Sequence, residues 1–357
     1  MEISTTTEVT TYFEGDMLYS AMLQKIKRAQ YEILLESYIF TSDTIGRKFI
    51  DALNEKASQN LAIRLHFDAV GSNYFQHGLS LRKKLDRRIE VKWFHRWNWR
   101  RPLQFNIRNH RKLLIVDTQV VFTGGFNIHQ ECSRARYGEK RWRDTHVMIE
   151  SEIANLFVRY FDNLWFKKRE AYLGPFGSID LLPNITRKCR YLFRCRLTYL
   201  IKTAEKSILC TTPYFVPDEF ILKALVTAAQ RGVKVNLLVP YESDHPIVNV
   251  LAKQYYARLL QAGIQVNAYL PRMLHAKTLV VDNQTVIIGS ANIDYRSFFI
   301  NHELVCLFNS KRLAKELTEA FINDCKHALL ISSKTRFKNT QHWWLWRPLA
   351  ALLKHWI

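Results

Sequence analysis

The segment 110–128 reappears 165 positions later, at 275–293, without a gap. Ten of its nineteen positions are identical: His110/His275, Lys112/Lys277, Leu114/Leu279, Val116/Val281, Asp117/Asp282, Gln119/Gln284, Val121/Val286, Gly124/Gly289, Asn127/Asn292 and Ile128/Ile293. At about one chance match in twenty per position, this is an internal repeat. A chain that carries one element twice folds as two similar lobes or as one large duplicated domain, and 357 residues suffice for either.

The surroundings of the two copies share an order of elements. In the first half, periodicity predicts a helix over Met17–Ala29, a strand over Tyr31–Phe40, a helix over Ile45–Ala57 and a strand over Leu61–Phe67. A short helix Leu79–Leu85 and a strand Ile89–Phe94 follow, and Leu113–Val116 with Val120–Thr123 reads as a hairpin turning at Asp117-Thr118-Gln119. In the second half the helices are Leu197–Lys206, Glu219–Arg231 (stopped by Gly232) and Pro246–Gln261. Its strands are Ser207–Pro213, Val233–Val239 and Gln265–Leu270, with a hairpin of Thr278–Asp282 and Thr285–Ile288. Alternation of strands and helices predicts an α/β fold of mixed sheets flanked by helices, in two similar lobes. The boundaries read as a first lobe 1–171, a connection 172–183 rich in Gly and Pro, a second lobe 184–332, and a basic, Trp-rich tail 333–357.

Each copy reads H-x-K-x-x-x-x-D followed by G-[GS]-x-N. In a strand, side chains two apart share a face, so His110 goes with Lys112 and His275 with Lys277. Asp117 and Asp282, seven positions on, point the other way, as partners holding the hairpin. The small residues Gly124-Gly125 and Gly289-Ser290 let backbone approach a ligand, and Asn127 and Asn292 add amide donors. If a pseudo-twofold axis relates the copies, two His, two Lys and two Asn converge on one pocket. That set suits a phosphodiester, with Lys and Asn on the non-bridging oxygens and a His free to attack phosphorus without a metal.

The paired motifs resemble the HKD signature of the phospholipase D superfamily. Further blocks are similar to bacterial cardiolipin synthases: Asn109–Lys112, Thr123–Ile128, Trp142–Val147, Pro213–Asp218, Gly289–Ser297 and Asn301–Glu303. The resemblance spans roughly 12–330. It implies two phospholipase D-like lobes with the active site between them, complete in one monomer. It implies a phosphatidyltransferase that joins two phosphatidylglycerols and releases glycerol through a phosphohistidine intermediate, with phosphatidylethanolamine as an alternative donor. The catalytic set would be His110, Lys112, Asp117, His275, Lys277 and Asp282, with His110 as nucleophile and His275 as acid and base. Asn127, Asn292, Gly125 and Ser290 would bind the phosphate, and Asp144 and Glu303 would orient the histidines. No metal or cofactor is implied. The rival within the superfamily is a phosphodiesterase or nuclease acting on phospholipid or DNA.

Charge bears on that choice. The formal balance of +20 predicts a polyanionic partner, whether nucleic acid, an anionic membrane surface or a phosphate-bearing substrate. Basic segments interleaved with Trp, at 93–101 and 336–357, favour a lipid surface over nucleic acid. No stretch of about 18–20 apolar residues exists, and the acidic, polar N-terminus lacks the pattern of a signal peptide. The expectation is a peripheral protein on the cytoplasmic face of the bacterial inner membrane. Six cysteines with no C-x-x-C pair, and no Cys or His at zinc-ligand spacing, read as reduced thiols without a structural metal.

Overall fold

In a computed structural model, which describes residues 7–168, 172–184, 187–332 and 335, the repeat becomes two lobes, each built on a mixed sheet. The first lobe runs β1 (Glu8–Tyr12), α1 (Gly15–Arg28), β2 (Glu32–Ser37), α2 (Thr44–Ser58), β3 (Ala62–Asp68), α3 (Leu79–Lys84) and β4 (Glu90–Phe94). It continues through β5 (Leu113–Val116), β6 (Val120–Gly124), α4 (Arg134–Tyr137), β7 (His146–Glu150) and α5 (Ala154–Trp165). The second runs β8 (Ile179–Pro183), α6 (Arg187–Thr203), β9 (Ser207–Thr211), β10 (Phe215–Val216), α7 (Glu219–Gln230), β11 (Lys234–Pro240), α8 (Pro246–Gln261) and β12 (Gln265–Tyr269). It ends with β13 (Thr278–Val281), β14 (Thr285–Gly289), β15 (Ile293–Asp294), α9 (Tyr295–Phe299), β16 (Leu304–Asn309), α10 (Lys311–Cys325) and β17 (Ala328–Leu330).

The strand order is β1-β7-β6-β5-β2-β3-β4 in one sheet and β17-β12-β11-β9-β13-β14-β16-β8 in the other. Dropping β17 and reading the second list backwards gives the first, strand for strand. In each, one trio is parallel (β2, β3, β4 and β9, β11, β12) and the rest antiparallel. Two readings are corrected. Residues 179–183, read as connection, form β8, the strand paired with β16 at the edge of the second sheet. The helix read from Leu197 begins at Arg187, its first turns hidden by a run of Lys and Arg that leaves little apolar periodicity. The tail at 336–357 lies outside the described residues.

Local chemistry explains the frame. Asp43 caps α2 through the N–H groups of Ile45 and Gly46, and Asp218 and Ser310 cap α7 and α10. Each hairpin turns on two residues with positive φ, Asp117-Thr118 and Asp282-Asn283, as a type I′ turn requires. Three apolar layers result. The outer cores hold Leu18, Phe49 and Leu65 in one lobe and Ile201, Leu225 and Leu237 in the other. Between the sheets, Leu34, Ile115, Val121 and Phe157 meet Val280, Val286, Ile288 and Leu313 in a shared core. Fusing the lobes through this core fixes the one edge where both H-x-K segments emerge.

Candidate active site

His110 and His275 stand just before β5 and β13, and each is tied by main chain to the opposite lobe. The His110 N–H donates to the carbonyl of His302 (2.9 Å), whose own N–H donates to that of Arg108 (2.8 Å). Reciprocally, the His275 N–H donates to the carbonyl of Arg143 (2.7 Å), whose N–H donates to that of Met273 (2.8 Å). Glu303 follows His302 and Asp144 follows Arg143, so each bridge delivers a carboxylate to the other lobe's imidazole. His110 Nδ1 lies 3.0 Å from both Glu303 oxygens, and His275 Nδ1 lies 2.5 Å from Asp144 Oδ2. Both expected orienting acids therefore reach a histidine, but across the lobes. Sequence spacing could not reveal this, because it depends on which strand ends meet.

Each acid is seated differently. Glu303 accepts from the hydroxyls of Ser290 and Ser297 (3.0 Å for Ser297). On the other side, a Cβ at Gly125 would fall 1.9 Å from Asp144 Oδ1, so the glycine is the space that Asp144 occupies. Gly125 and Ser290 were expected to bind phosphate. The structure gives them other neighbours: Gly125 makes room for the Asp144 carboxylate, and the Ser290 hydroxyl donates to Glu303. Asn127 and Asn292 are buried in the site, the first accepting from the Ile39 N–H (3.1 Å), the second donating to Asp294 Oδ2 (3.2 Å).

Lys112 Nζ donates to the His110 carbonyl (2.7 Å), and Lys277 Nζ lies 2.9 Å from His275 Nδ1. Aromatic rings wall the pocket. Tyr38 meets His110 edge-on at 5.0 Å with Lys112 Nζ 5.3 Å from its ring, and Trp142 lies 5.0 Å from His275. Neither Tyr38 nor Ser297 was expected, although Ser297 ends one of the blocks that carry the resemblance.

Asp117 and Asp282 are not in this pocket, which corrects the expected catalytic set. The Asp117 carboxylate accepts from the N–H groups of Gln30, Tyr31 and Glu32, and Asp282 from those of Glu205, Lys206 and Ser207. Seven residue-to-residue steps along extended chain separate them from their histidines, about 23 Å at ~3.3 Å each. Their constancy in the repeat reflects the hairpin turn and the start of β2 or β9.

Burial sets the electrostatics. It pushes the His110 imidazole down to about 4, against the pull of Glu303 and with a further push from Lys112. His275 is driven well below its ordinary range by burial and then by Lys277. Burial also lowers both lysines, against the attraction of Glu303 and Asp144. It raises Asp144, while at Glu303 it is outweighed by His110 and Lys112, which hold that carboxylate below its usual range. Burial in this pocket thus favours the neutral form of both imidazoles and weakens the charged form of both lysines, which a bound anion would restore.

Comparison with known proteins shows the family and the fold. A family model described as "Cardiolipin synthase, PLD-like domain" matches residues 22–165 and 197–325. A cardiolipin synthase of Clostridium perfringens (strain SM101 / Type A) is 32% identical over 342 residues, covering 89% of this chain and 70% of its own. Cardiolipin synthase A of Pseudomonas fluorescens (strain SBW25) is 34% identical over 331 residues, covering 89% and 68%. Among solved structures, phosphatidylserine synthase of Haemophilus influenzae Rd KW20 superposes with a TM-score of 0.76 at 13% identity, covering 98% of this chain and 95% of its own. At that identity it speaks for the fold.

Proposed function

The chain belongs to the cardiolipin synthase family of phospholipase D-like proteins and is a phosphatidyltransferase of phospholipid biosynthesis; from that premise we propose that it joins two phosphatidylglycerols, with His110 as the nucleophile. His110 Nε2 attacks phosphorus and the bond to the glycerol oxygen breaks. The bound phosphodiester anion favours the imidazolium, so His275 takes up a proton at Nε2, gives it to that alkoxide, and glycerol leaves. The glycerol hydroxyl of a second phosphatidylglycerol then passes its proton to His275 and displaces His110, so that one cardiolipin forms for each glycerol released. Lys112, Lys277, Asn127 and Asn292 hold the non-bridging oxygens, while Glu303 and Asp144 orient the rings through Nδ1.

One observation carries this reading: two buried imidazoles share a pocket, each fixed at Nδ1 by a carboxylate from the other lobe. The test is to incubate the protein with phosphatidylglycerol vesicles and follow cardiolipin and glycerol by mass spectrometry. Formation of phosphatidic acid alone, or cleavage of DNA without lipid products, would overturn it. His110→Ala and His275→Ala should each abolish turnover while vesicle binding persists.

For lipid access the exposed residues near the first H-x-K motif are the candidates. Trp99 (84% exposed), Leu103 (78%), Leu79 (75%) and Phe75 (71%) stand out in solvent beside exposed Arg96, Arg100, Arg101, Arg82 and Lys83. This stretch runs directly into Arg108–His110 and is anchored there by the Arg108–Asp68 ion pair (3.2 Å). Trp at the headgroup level and basic residues facing anionic lipid suit a peripheral mode of binding on the cytoplasmic leaflet. Among the described residues, no helix is long and apolar enough to cross a membrane. Replacing Trp99 and Leu103 by Ala should reduce flotation with phosphatidylglycerol vesicles at unchanged thermal stability; unchanged flotation would count against this face.

A further inference from the structure

The pocket is nearly symmetric in its histidines, lysines and acids, yet transfer requires it to tell one side of the phosphorus from the other. A difference between the lobes lies in the loop after β11. Register pairs Ala62 of β3 with Glu32, and Lys234 of β11 with Ser207, the equivalent of Glu32. Counting on from there, position 72 matches position 244. Ser72 is buried and ties down main chain, accepting from the Phe40 N–H (3.0 Å) and donating to the Tyr38 carbonyl (2.9 Å). Asp244 instead presents a partly exposed carboxylate.

That carboxylate is held from below. The Tyr214 hydroxyl donates to both oxygens (2.8 and 2.9 Å), the Ser243 hydroxyl donates to one (3.3 Å), and His245 Nε2 stands 3.7 Å away. Tyr214 lies three residues past Thr211, whose strand partner Thr278 follows Lys277. The Thr212 N–H donates to Leu238 of β11 (3.1 Å), so the β9 and β11 loops rise together over the histidine end of β13. The Asp244 charge acts on both His275 and Lys277.

A carboxylate has no role in holding a phosphodiester, which it repels. What it recognises beside one is the donor-bearing part of the substrate. We propose that Asp244, held by Tyr214, is a specificity residue that binds the hydroxyl groups of a glycerol headgroup on the His275 side of the pocket. The inference rests on the phosphatidyltransfer reading. Since the acceptor enters where the first alcohol departed, one subsite serves the leaving glycerol and the incoming one. A monohydric alcohol reacts through its only hydroxyl and has no second one to offer Asp244.

The test is a competition between acceptors. Phosphatidylglycerol vesicles containing a fixed concentration of ethanol are given to the full chain, and cardiolipin and phosphatidylethanol are both quantified. The first half-reaction is common to the two products, so their ratio reports acceptor choice alone and is independent of the fraction of enzyme folded. Asp244→Asn, whose amide oxygen still accepts from Tyr214, should lower the cardiolipin to phosphatidylethanol ratio at least tenfold. If the wild type makes only cardiolipin, the variant should begin to make phosphatidylethanol. An unchanged product pattern overturns the subsite. Should Asp244→Asn be insoluble, Tyr214→Phe is expected to shift the ratio in the same direction, and no shift there is equally decisive. A wild type that turns over no phosphatidylglycerol would instead overturn the underlying activity.

Discussion

Asp117 sits in the turn between β5 and β6 and Asp144 lies just before β7, and only the second meets an imidazole. Asp144→Asn and Glu303→Gln, which keep shape but remove the charge facing an imidazolium, should each lower cardiolipin formation by roughly 10²-fold or more. Activity within a few-fold of wild type would remove them from the mechanism. Asp117→Asn gives the opposite pattern: three main-chain N–H groups lose a charged acceptor, so unfolding in urea should become easier by about 1–3 kcal/mol, with turnover per folded molecule unchanged. The repeat displayed both kinds of residue with equal emphasis. Parity of side chains along the strand separated His110 from Asp117, but the neighbours of Ser290 and Gly125, Glu303 and Asp144, were not legible because they arrive from elsewhere in space. A further residue speaks through pH. His146 is buried on β7 with neither ring nitrogen hydrogen-bonded, and burial pushes its pKa down to about 3. Its ordinary value is 6.5, so below that pH the unfolded chain takes the proton first, and stability drains away as pH falls toward 3. The slope is at most about 1.4 kcal/mol per pH unit. His146→Leu removes this contribution, so the difference in melting temperature between pH 7 and pH 5 should shrink; an unchanged difference would refute it.

At the level of elements, the ends of β6 and β14 matter more than their middles. Both strands follow a two-residue turn and finish in the small residues that seat an acid. Gly125→Ala places a methyl group where Asp144 Oδ1 sits, and that carboxylate is the softer neighbour. The substitution should therefore uncouple Asp144 from His275 and cut turnover severely, roughly as Asp144→Asn does, with thermal stability falling much less. Loss of stability in step with activity would argue for simple misfolding. The strands and helices of the two parallel trios were legible in sequence because their apolar periodicity is strong and their caps conform, as at Asp43 and Asp218. The outer strands β1, β7, β8 and β16 were not. They pair with partners far along the chain, Glu8 with Glu150 and Ile179 with Phe308, and acquire their strand character from that pairing.

For the whole molecule, the shared core decides what a lobe can do by itself. A lobe expressed alone would present Ile115, Val121 and Phe157, or Val280, Val286 and Ile288, to water, and a bare apolar face of that kind drives aggregation. The two lobes made as separate chains should be poorly soluble and inactive singly, and should regain activity when co-expressed, as read by cardiolipin formation. Activity in either lobe alone would contradict the pairing of each imidazole with the other lobe's acid. That the chain has two lobes was plain from the repeat; that neither is chemically complete was not, because no spacing along a sequence encodes an exchange of carboxylates.

That exchange has a consequence for the order in which the molecule is made. His110 leaves the ribosome 193 residues before the glutamate that orients it, a delay of about 10–40 s at ~5–20 residues per second. For most of that interval, from Asp144 until His275 is made 131 residues later, the nascent first lobe carries one histidine without its acid and one acid without its histidine. Neither half of the growing chain can complete both imidazole–carboxylate pairs by itself; the pair at His110 forms only when the last sheet closes and brings Glu303 to it.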